Sequence, residues 1–418
     1  MATPSPILPL LEAADATFRP WGDAPEGYPA PAVLAEQIAE LELEYAAIRK
    51  HAALFDQPHR GVILVTGPDR LDFLGRMITQ DVRPLPPYSW RHSFWLNRKG
   101  RIDADMRVLV LPDRVLLEMD IHAVARALAG LNAYVITEDV TLRDATQEIH
   151  RLALHGPGAA SALASVVGHT QPTPGAAPQP TLLSITHGQA LNCSFGGSIV
   201  TVVRDDWTGE TGLEIFVPID RARMLYEGLV ALAHAHAPAS TAATKPVGPA
   251  LRPIGWHALN IARIESGTAL YNLDFGQNNL PHETGDEVLR SRVSFKKGCY
   301  LGQEIVARMD ARGHPKAVLR ALAIVGPDAR DGSGTPRQPV TGVPLFATPD
   351  ASGEPVGAVT SSTVSPMRSS TPVLFAMVRH ASAAAGATLY VAAEGAIVAT
   401  TVQPGLTFWT RDGNRSAS

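Results

Sequence analysis

Hydrophobic residues recur along the chain at spacings that separate helices from strands. Between residues 32 and 55, apolar positions return every three or four residues among charged ones, which predicts one amphipathic helix. The runs GVILVTG (61–67) and RVLVLPDRVLLEMD (107–120) are rich in Val and Leu, and they predict a strand and a hairpin. HAVARALAGLNAYV (122–135) predicts a helix, and SIVTVVRDDWTGETGLEIFVP (198–218) predicts a second hairpin around a Gly-containing turn.

The alternation of strand pairs with helices predicts the fold class. It favours an α+β protein with antiparallel layers over a doubly wound parallel sheet. We expect an N-terminal extension (1–31) that lies over the surface or stays mobile, an α+β core (32–315) and a C-terminal β-barrel (316–418). The barrel is expected because the last part has short Val-, Ala- and Thr-rich runs separated by Gly, Pro and Ser. Pro- and Ala-rich stretches predict a surface loop at 169–183 and a connector at 235–253.

Composition narrows the class of protein further. The 418 residues are 45% hydrophobic and 18% charged, as in a folded globular chain, and a net charge of −4 argues against a protein that coats nucleic acid. Cys193 and Cys299 are too few for a disulfide framework, an iron–sulfur cluster or a structural zinc site. Cys193, in the apparent strand ALNCSF, is expected in the core. The N-terminal sequence has no signal-like or membrane-spanning run, so a cytoplasmic protein is expected.

The segment KGCYLGQE (297–304) carries the most informative candidate chemistry. Its two glycines would let the backbone adopt positive φ or approach a ligand closely. Lys296 and Lys297 would make the local field electropositive and favour the thiolate of Cys299, which is the reactive form of cysteine. A buried structural cysteine in an ordinary loop is the alternative that composition alone leaves open.

KGCYLGQE also matches the K-G-C-Y-x-G-Q-E signature of the YgfZ family, a branch of the aminomethyltransferase superfamily. The aminomethyltransferase of the glycine cleavage system typically has KG-x-F-I-G-R/K-E there, so Cys299, Tyr300 and Gln303 separate the two branches. Further blocks resemble the superfamily, from the opening helix to the R-x-E-x-G-x-x-L-Y-x-x-D stretch: residues 44–82, LNRKGRIDADMRVLV (96–110), RDDWTGETGLEIFVP (204–218) and ARIESGTALYNLDF (262–275).

The resemblance implies an aminomethyltransferase-like ring of ferredoxin-like α+β subdomains with a C-terminal antiparallel β-barrel. Its central hole would hold tetrahydrofolate or a one-carbon derivative. Glu214 matches the residue whose carboxylate accepts two N–H groups of the pterin, although alternation alone would make it an exposed strand-face glutamate. Asp105 matches the acid near the reacting folate nitrogen, although Asp105 and Asp103 could instead be solvated carboxylates.

The remaining expected site residues also follow from the resemblance. Glu265 is a candidate for the folate pocket, although it could simply pair with Arg263 or Arg292. The candidate catalytic residues are Cys299 and Asp105, and the candidate cofactor-binding residues are Glu214, Asp105, Glu265, Lys297, Tyr300 and Gln303. No metal site is expected.

The implied function is that of a folate-binding accessory protein. It would support iron–sulfur cluster assembly or repair in client proteins, including tRNA-thiomethylating enzymes, with Cys299 as the reactive or transient ligand group. An accessory factor is thus favoured over an enzyme, and direct RNA or membrane binding is not expected. Two alternatives stay open: a tetrahydrofolate-dependent aminomethyltransferase that uses an aminomethyl-lipoyl carrier, and a non-catalytic folate-binding scaffold in which Cys299 is structural.

Overall fold

The computed structural model describes residues 5–169, 180–235 and 250–411. Most of the expected surface loop at 169–183 and of the connector at 235–253 lies outside these residues. The chain forms two compact units that interleave along the sequence. Unit 1 comprises Met1–Leu71, Pro84–Arg91 and Arg107–Leu259, and unit 2 comprises Asp72–Arg83, His92–Met106 and Asn260–Ser418. The domain boundaries drawn from the sequence stay a prediction.

The regular elements follow one another with short connections. The strands are β1 (Thr17–Pro20), β2 (Val33–Gln37), β3 (Ala52–Asp56), β4 (Arg60–Thr66), β5 (Ser89–Leu96), β6 (Ile102–Val110), β7 (Val115–Asp120), β8 (Thr141–Asp144), β9 (Ile149–His155), β10 (Gly168–His169), β11 (Ala190–Phe195), β12 (Ser198–Arg204), β13 (Gly212–Pro218), β14 (Leu251–Pro253), β15 (Ala317–Ile324), β16 (Pro344–Phe346), β17 (Gly357–Ser365), β18 (Thr371–Arg379), β19 (Thr388–Ala393) and β20 (Ala396–Val402). The helices are α1 (Leu8–Ala13), α2 (Leu41–Lys50), α3 (Arg70–Met77), α4 (Ile121–Asn132), α5 (Ala159–Ala164), α6 (Ile219–Ala235), α7 (Trp256–Glu265), α8 (Asp286–Arg292) and α9 (Gln303–Arg312).

A seven-stranded sheet of unit 1 has the order β10-β11-β12-β13-β9-β3-β14. Its pairs are antiparallel except for β14 and β3, which run parallel. In β13, Leu213, Ile215 and Val217 point to a core that also contains side chains of α5 and α6. Because side chains alternate along a strand, Glu214 and Phe216 lie on the opposite face. The predicted hairpin at 198–218 is confirmed by the pairing of β12 with β13.

A second sheet has the order β5-β6-β7-β4-β8, in which β6 and β7 form the hairpin predicted at 107–120. Within unit 1, apolar residues of this sheet, among them Val62 and Leu109, form a core with Val203 and Phe216 of the seven-stranded sheet. Glu214 therefore projects from the same sheet face as residues that line an inter-sheet core. The core position expected for Cys193 is also confirmed, since the side chain is 1% exposed.

A buried network of charges accompanies this inter-sheet core. Arg107 of β6 donates to Glu118 of β7 at 2.8 Å and to Asp205, which precedes β13, at 2.6 Å. Arg60 of β4 also binds Glu118. Burial opposes the ionisation of Glu118, but Arg60, Arg107 and Arg151 outweigh it and hold the pKa of this carboxyl well below its ordinary value. The network therefore ties strands of both sheets through paired charges.

The helix predicted across 32–55 is wrong in its length, because the segment forms β2, α2 and β3 instead. The carboxylate of Glu44 in α2 accepts hydrogen bonds from the backbone N–H groups of Ile38, Ala39 and Gly255, at 2.6, 2.7 and 2.8 Å. These bonds hold the chain out of helical geometry before Leu41. Local periodicity cannot indicate a bond to residue 255, so it overextends the helix.

The segment expected as a surface or mobile extension is also folded into unit 1. The side chains of Ile7 and Leu11 belong to the core of the seven-stranded sheet, and β1 pairs with β2. The indole of Trp21 is 7% exposed; its Nε1 donates to Asp120 at 2.9 Å, and its ring packs edge-on against Trp256. The expectation of a surface or mobile segment is therefore wrong for these residues, because their apolar side chains bury more than their weak periodicity suggests.

Unit 2 contains the C-terminal β-barrel that the sequence predicts. Six strands close it in the order β15-β18-β17-β16-β19-β20, around a core that includes Leu322, Leu374 and Val391. Closure leaves no unpaired sheet edge. Arg263 of α7 attaches to this barrel, because its buried guanidinium binds Ser361 of β17 and Asp274. Among the described helices, none is long and apolar enough to cross a membrane.

Replacing Trp21 tests whether the N-terminal segment stabilises unit 1. Trp21→Phe removes the N–H that Asp120 accepts but keeps an aromatic ring, so the free energy of unfolding should fall by about 1–3 kcal/mol. Urea unfolding monitored by circular dichroism measures the change. Ile136→Ala is the matched control, since that side chain is 82% exposed and its loss should cost less than about 0.5 kcal/mol. Equal stability of Trp21→Phe and the control would contradict the packing role.

Replacing Glu118 tests the buried charge network. Glu118→Gln leaves Arg60 and Arg107 without this anionic partner, so the free energy of unfolding should fall by about 3–5 kcal/mol at pH 7. The pKa of Glu118 is lower in the folded than in the unfolded chain, so its contribution is present above the unfolded pKa and is lost as the pH falls below it. The variant should therefore show a shallower loss of stability below about pH 5 in urea titrations. An unchanged acid slope would refute the prediction.

Candidate functional site

Glu214 is held at a fixed orientation by three side chains of unit 1. Its Oε1 accepts a hydrogen bond from Trp207 Nε1 at 2.6 Å. Its Oε2 accepts from Arg151 Nη2 at 2.8 Å and from Gln57 Nε2 at 3.1 Å. The side chain is 2% exposed. Glu214 is therefore not the exposed strand-face glutamate that alternation alone would give, and its position is that of a pre-oriented buried acceptor.

Two further polar groups approach the same carboxylate without bonding to it. Arg107 Nη1 lies 4.0 Å from Oε2, and His155 Nε2 lies 3.9 Å from Oε1. Burial lowers the pKa of His155, which favours its neutral form, and burial lowers the pKa of Arg151 to about 10, which leaves it cationic at neutral pH. Arg107 of β6 and Arg151 of β9 thus connect Glu214 to the buried charge network around Glu118.

Sequence reasoning missed Gln57 and Arg151 as partners of Glu214. Arg151 carried one usable signal, because it interrupts the apolar strand RLALH, and a strand arginine that cannot reach solvent must find an anion. Gln57 carried no signal of this kind, since it follows β3 and lies 157 positions from Glu214.

Asp105 lies in unit 2 and is also paired. Arg292 Nε donates to its two carboxylate oxygens at 2.9 and 3.1 Å, and both side chains are 11% exposed. The neighbouring Asp103 accepts from Asn97 Nδ2 at 3.0 Å, while its carbonyl oxygen accepts from Tyr271 OH. Both acids are half-buried and each has a defined partner, so neither is a fully solvated carboxylate. Arg292 is the last residue of α8. The sequence had suggested it as a partner of Glu265 and not of Asp105.

The KGCYLGQE segment forms a turn before α9 in unit 2. Gly302 has φ +80°, and a Cβ there would lie 2.8 Å from the carbonyl oxygen of Asn97, so this position requires glycine. Cys299 is exposed, which excludes the alternative of a buried structural cysteine. Lys297 is buried, and its Nζ donates to the carbonyl oxygens of Ile78 and Gln80 at 2.6 and 3.1 Å. This ammonium therefore fixes the turn, and burial lowers the pKa of Lys297 to about 8.

The other expected pocket residues lie in different surroundings of unit 2. Glu265 is fully buried and accepts from Ser365 Oγ of the barrel and from Met367 N. Its expected alternative partners, Arg263 and Arg292, bind Asp274 and Asp105 instead. Tyr300 packs its ring 5.2 Å from Lys297 Nζ, and Gln303 is the half-buried first residue of α9. Their expected contacts with a cofactor stay predictions.

Known proteins resemble this chain over most of its length. It is 28% identical over 338 residues to an aminomethyltransferase of Chlorobium chlorochromatii, covering 79% of this chain and 80% of the relative. It is 28% identical over 371 residues to an aminomethyltransferase of Chlorobaculum parvum, covering 88% and 89%. It is similar, at 22% identity and a TM-score of 0.78, to the crystal structure of glycine cleavage system aminomethyltransferase T from Bartonella henselae, covering 98% of this chain and 99% of that one.

The structural likeness confirms the expected fold class. The chain has the aminomethyltransferase fold, which is mixed α+β with a closed six-stranded antiparallel β-barrel at its C-terminal end. The family model described as the GCVT N-terminal domain matches residues 10–297. Since this match spans well over half of the sequence, the chain belongs to the GCVT aminomethyltransferase family.

Proposed function

We propose that this chain binds tetrahydrofolate and acts as an aminomethyltransferase of the glycine cleavage type. Two kinds of finding favour this activity over the accessory role: the relatives that share most of its length are named aminomethyltransferases, and the Bartonella protein of the same fold carries that name. The observation that carries the proposal is the state of Glu214, a buried carboxylate at the family's pterin position whose orientation three donors fix.

Glu214 supplies what a pterin ring requires. The ring presents an N–H and an amino group side by side, and a carboxylate accepts both because its two oxygens have the same spacing. Burial removes competing water, so each such bond contributes more than it would at the surface. Gln57 makes the longest of the three bonds to Glu214 and is neutral, so its bond is the one that a ligand N–H replaces at least cost.

Asp105 supplies an oriented negative charge for the transfer step. In the proposed reaction, the carbon–sulfur bond of an aminomethyl-lipoyl carrier breaks and the carrier leaves as its dithiol. The amino group leaves as ammonia, and the carbon bridges two folate nitrogens to form methylenetetrahydrofolate. Positive charge develops on the folate nitrogen and its new carbon, and a carboxylate beside it stabilises that charge. The two bonds from Arg292 hold Asp105 in one orientation, so its charge needs no reorganisation during the step.

A second candidate function is the accessory role in iron–sulfur cluster assembly or repair. One observation favours it: Cys299 is exposed in a turn that the buried ammonium of Lys297 fixes. An exposed thiol in a rigid turn can attack a disulfide or persulfide, or complete a cluster that a partner shares. The K-G-C-Y-x-G-Q-E signature supports the same role. Folate binding at Glu214 is common to both candidates, so Cys299 and turnover distinguish them.

Replacing Glu214 tests folate binding. Glu214→Gln exchanges one acceptor oxygen for an amide that donates, so tetrahydrofolate should bind at least about tenfold more weakly. Anaerobic calorimetric titration measures the dissociation constant. Glu227→Gln, an exposed glutamate of α6 with a side chain 48% exposed, should leave affinity unchanged. Equal affinity of Glu214→Gln and wild type would place the pterin elsewhere.

Turnover with an aminomethyl-lipoyl carrier separates the two functions. Asp105→Asn should lower the rate of methylenetetrahydrofolate formation about 10²–10⁴-fold with little change in folate affinity, because Asp105 acts on developing charge. Cys299→Ser should leave that rate unchanged. If wild type forms no product, while Cys299→Ser lowers the activity of iron–sulfur client enzymes in cells at unchanged protein stability, the transferase proposal fails and the accessory role replaces it.

A further inference from the structure

Unpaired nitrogen atoms surround Glu214. Among the residues that the structure describes, eleven buried side-chain nitrogens lack a hydrogen-bond partner, and four of them belong to side chains beside this carboxylate: Nε and Nη1 of Arg151, Nε2 of His155 and Nε of Arg107. A buried donor without an acceptor costs free energy, so native proteins rarely retain one without a reason. Their concentration around one carboxylate indicates a place for a polar ligand that carries acceptors as well as donors.

Arg151 is fixed so that its unpaired donors keep one direction. It lies in β9 directly opposite Phe216 of β13, and its guanidinium carbon lies 3.4 Å from the centroid of that ring. One face of the guanidinium is thus covered, and Nη2 is bound to Glu214 Oε2. Since the group is planar and rigid, the positions of Nη1 and Nε follow from that bond. The free donors therefore lie beside the acceptor that would receive a ligand N–H.

We propose that Arg151 donates a hydrogen bond to the 4-oxo oxygen of the pterin and so selects 4-oxo folates over their 4-amino analogues. The inference rests on the folate site proposed at Glu214. In a pterin, the 4-oxo oxygen is the immediate neighbour of the N3–H that the carboxylate accepts. A cation beside Oε2 of Glu214 therefore meets an acceptor in a 4-oxo ring. In a 4-amino ring it meets another N–H donor, and both groups then stay unpaired.

The remaining groups of the cluster agree with this assignment. The neutral His155 lies on the Oε1 side of Glu214, away from the oxygen that Arg151 binds. Trp207, which binds Oε1, is half-buried, whereas Gln57 and Arg151 are 3% and 1% exposed, so the proposed ligand would enter beside the indole, the most exposed of the three groups that bind Glu214. The pterin edge would then contact Arg151 at the inner end of its path, where water is excluded and discrimination between acceptor and donor is largest.

The test compares tetrahydrofolate with its 4-amino-4-deoxy analogue in anaerobic calorimetric titrations. Wild type should bind the 4-oxo ligand at least about tenfold more tightly, because the 4-amino ring lacks both the N3–H that Glu214 accepts and the oxygen to which Arg151 donates. Arg151→Lys keeps a cation for Glu214 but loses the fixed second branch of donors, so the preference should fall at least about fivefold from its wild-type value, and the part that Glu214 supplies should remain. Arg223→Lys makes the same exchange at an α6 arginine whose side chain is 56% exposed; it is the matched control and should keep the wild-type preference.

The outcomes separate this inference from the proposed function. If wild type binds neither ligand, the folate site itself is wrong. If wild type binds both equally, folate binding stands and Arg151 does not recognise the 4-oxo group, as when a buried water occupies its free donors. An unchanged preference in folded Arg151→Lys also overturns the assignment. Should Arg151→Lys fail to fold, Arg151→Gln, whose amide donates without a positive charge, replaces it in the same comparison and should also lower the preference.

Discussion

Arg107 lies in the interior of unit 1, where it binds both Glu118 and Asp205, and Arg60 binds Glu118 as well. A buried charge is tolerated only when it is paired, so β6, β7 and the end of β12 have to bring these groups together. Arg151 and Glu214 extend the same arrangement across β9 and β13. The orientation of Glu214, and with it the proposed recognition of a pterin, is therefore a consequence of how the inter-sheet charges are paired.

The features that the sequence predicted are those that local patterns determine. Hairpins at 107–120 and 198–218, the helix near 122–135 and the C-terminal barrel follow from residues within one or two elements. The failures arise where distant groups intervene. Glu44, which keeps the residues before Leu41 out of the helix, also binds Gly255, 211 positions away, and Trp21 anchors the N-terminal segment to Asp120, 99 positions away. No window of sequence contains both members of such pairs.

The candidate site shows the same division. Glu214, Asp105 and Cys299 were chosen as candidates because each belongs to a short motif, and the structure buries the first, pairs the second and exposes the third. The groups that orient them, such as Arg151 and Arg292, lie 63 and 187 positions from the acids they bind. The motif around Cys299 resembles the YgfZ branch, whereas the relatives over most of the chain are named aminomethyltransferases. The proposed accessory role thus depends on the exposed thiol of Cys299, and the proposed aminomethyltransferase activity depends on the paired Asp105.

If the buried charges of unit 1 present Glu214 as the acceptor for a pterin, a crystal structure of the protein with tetrahydrofolate should show that contact. We expect the pterin's N3–H and amino group to lie within hydrogen-bond distance, about 2.7–3.2 Å, of the two oxygens of Glu214, with Arg107 still bound to Glu118 and Asp205. A pterin bound elsewhere, with Glu214 still accepting from Trp207, Arg151 and Gln57, would contradict it.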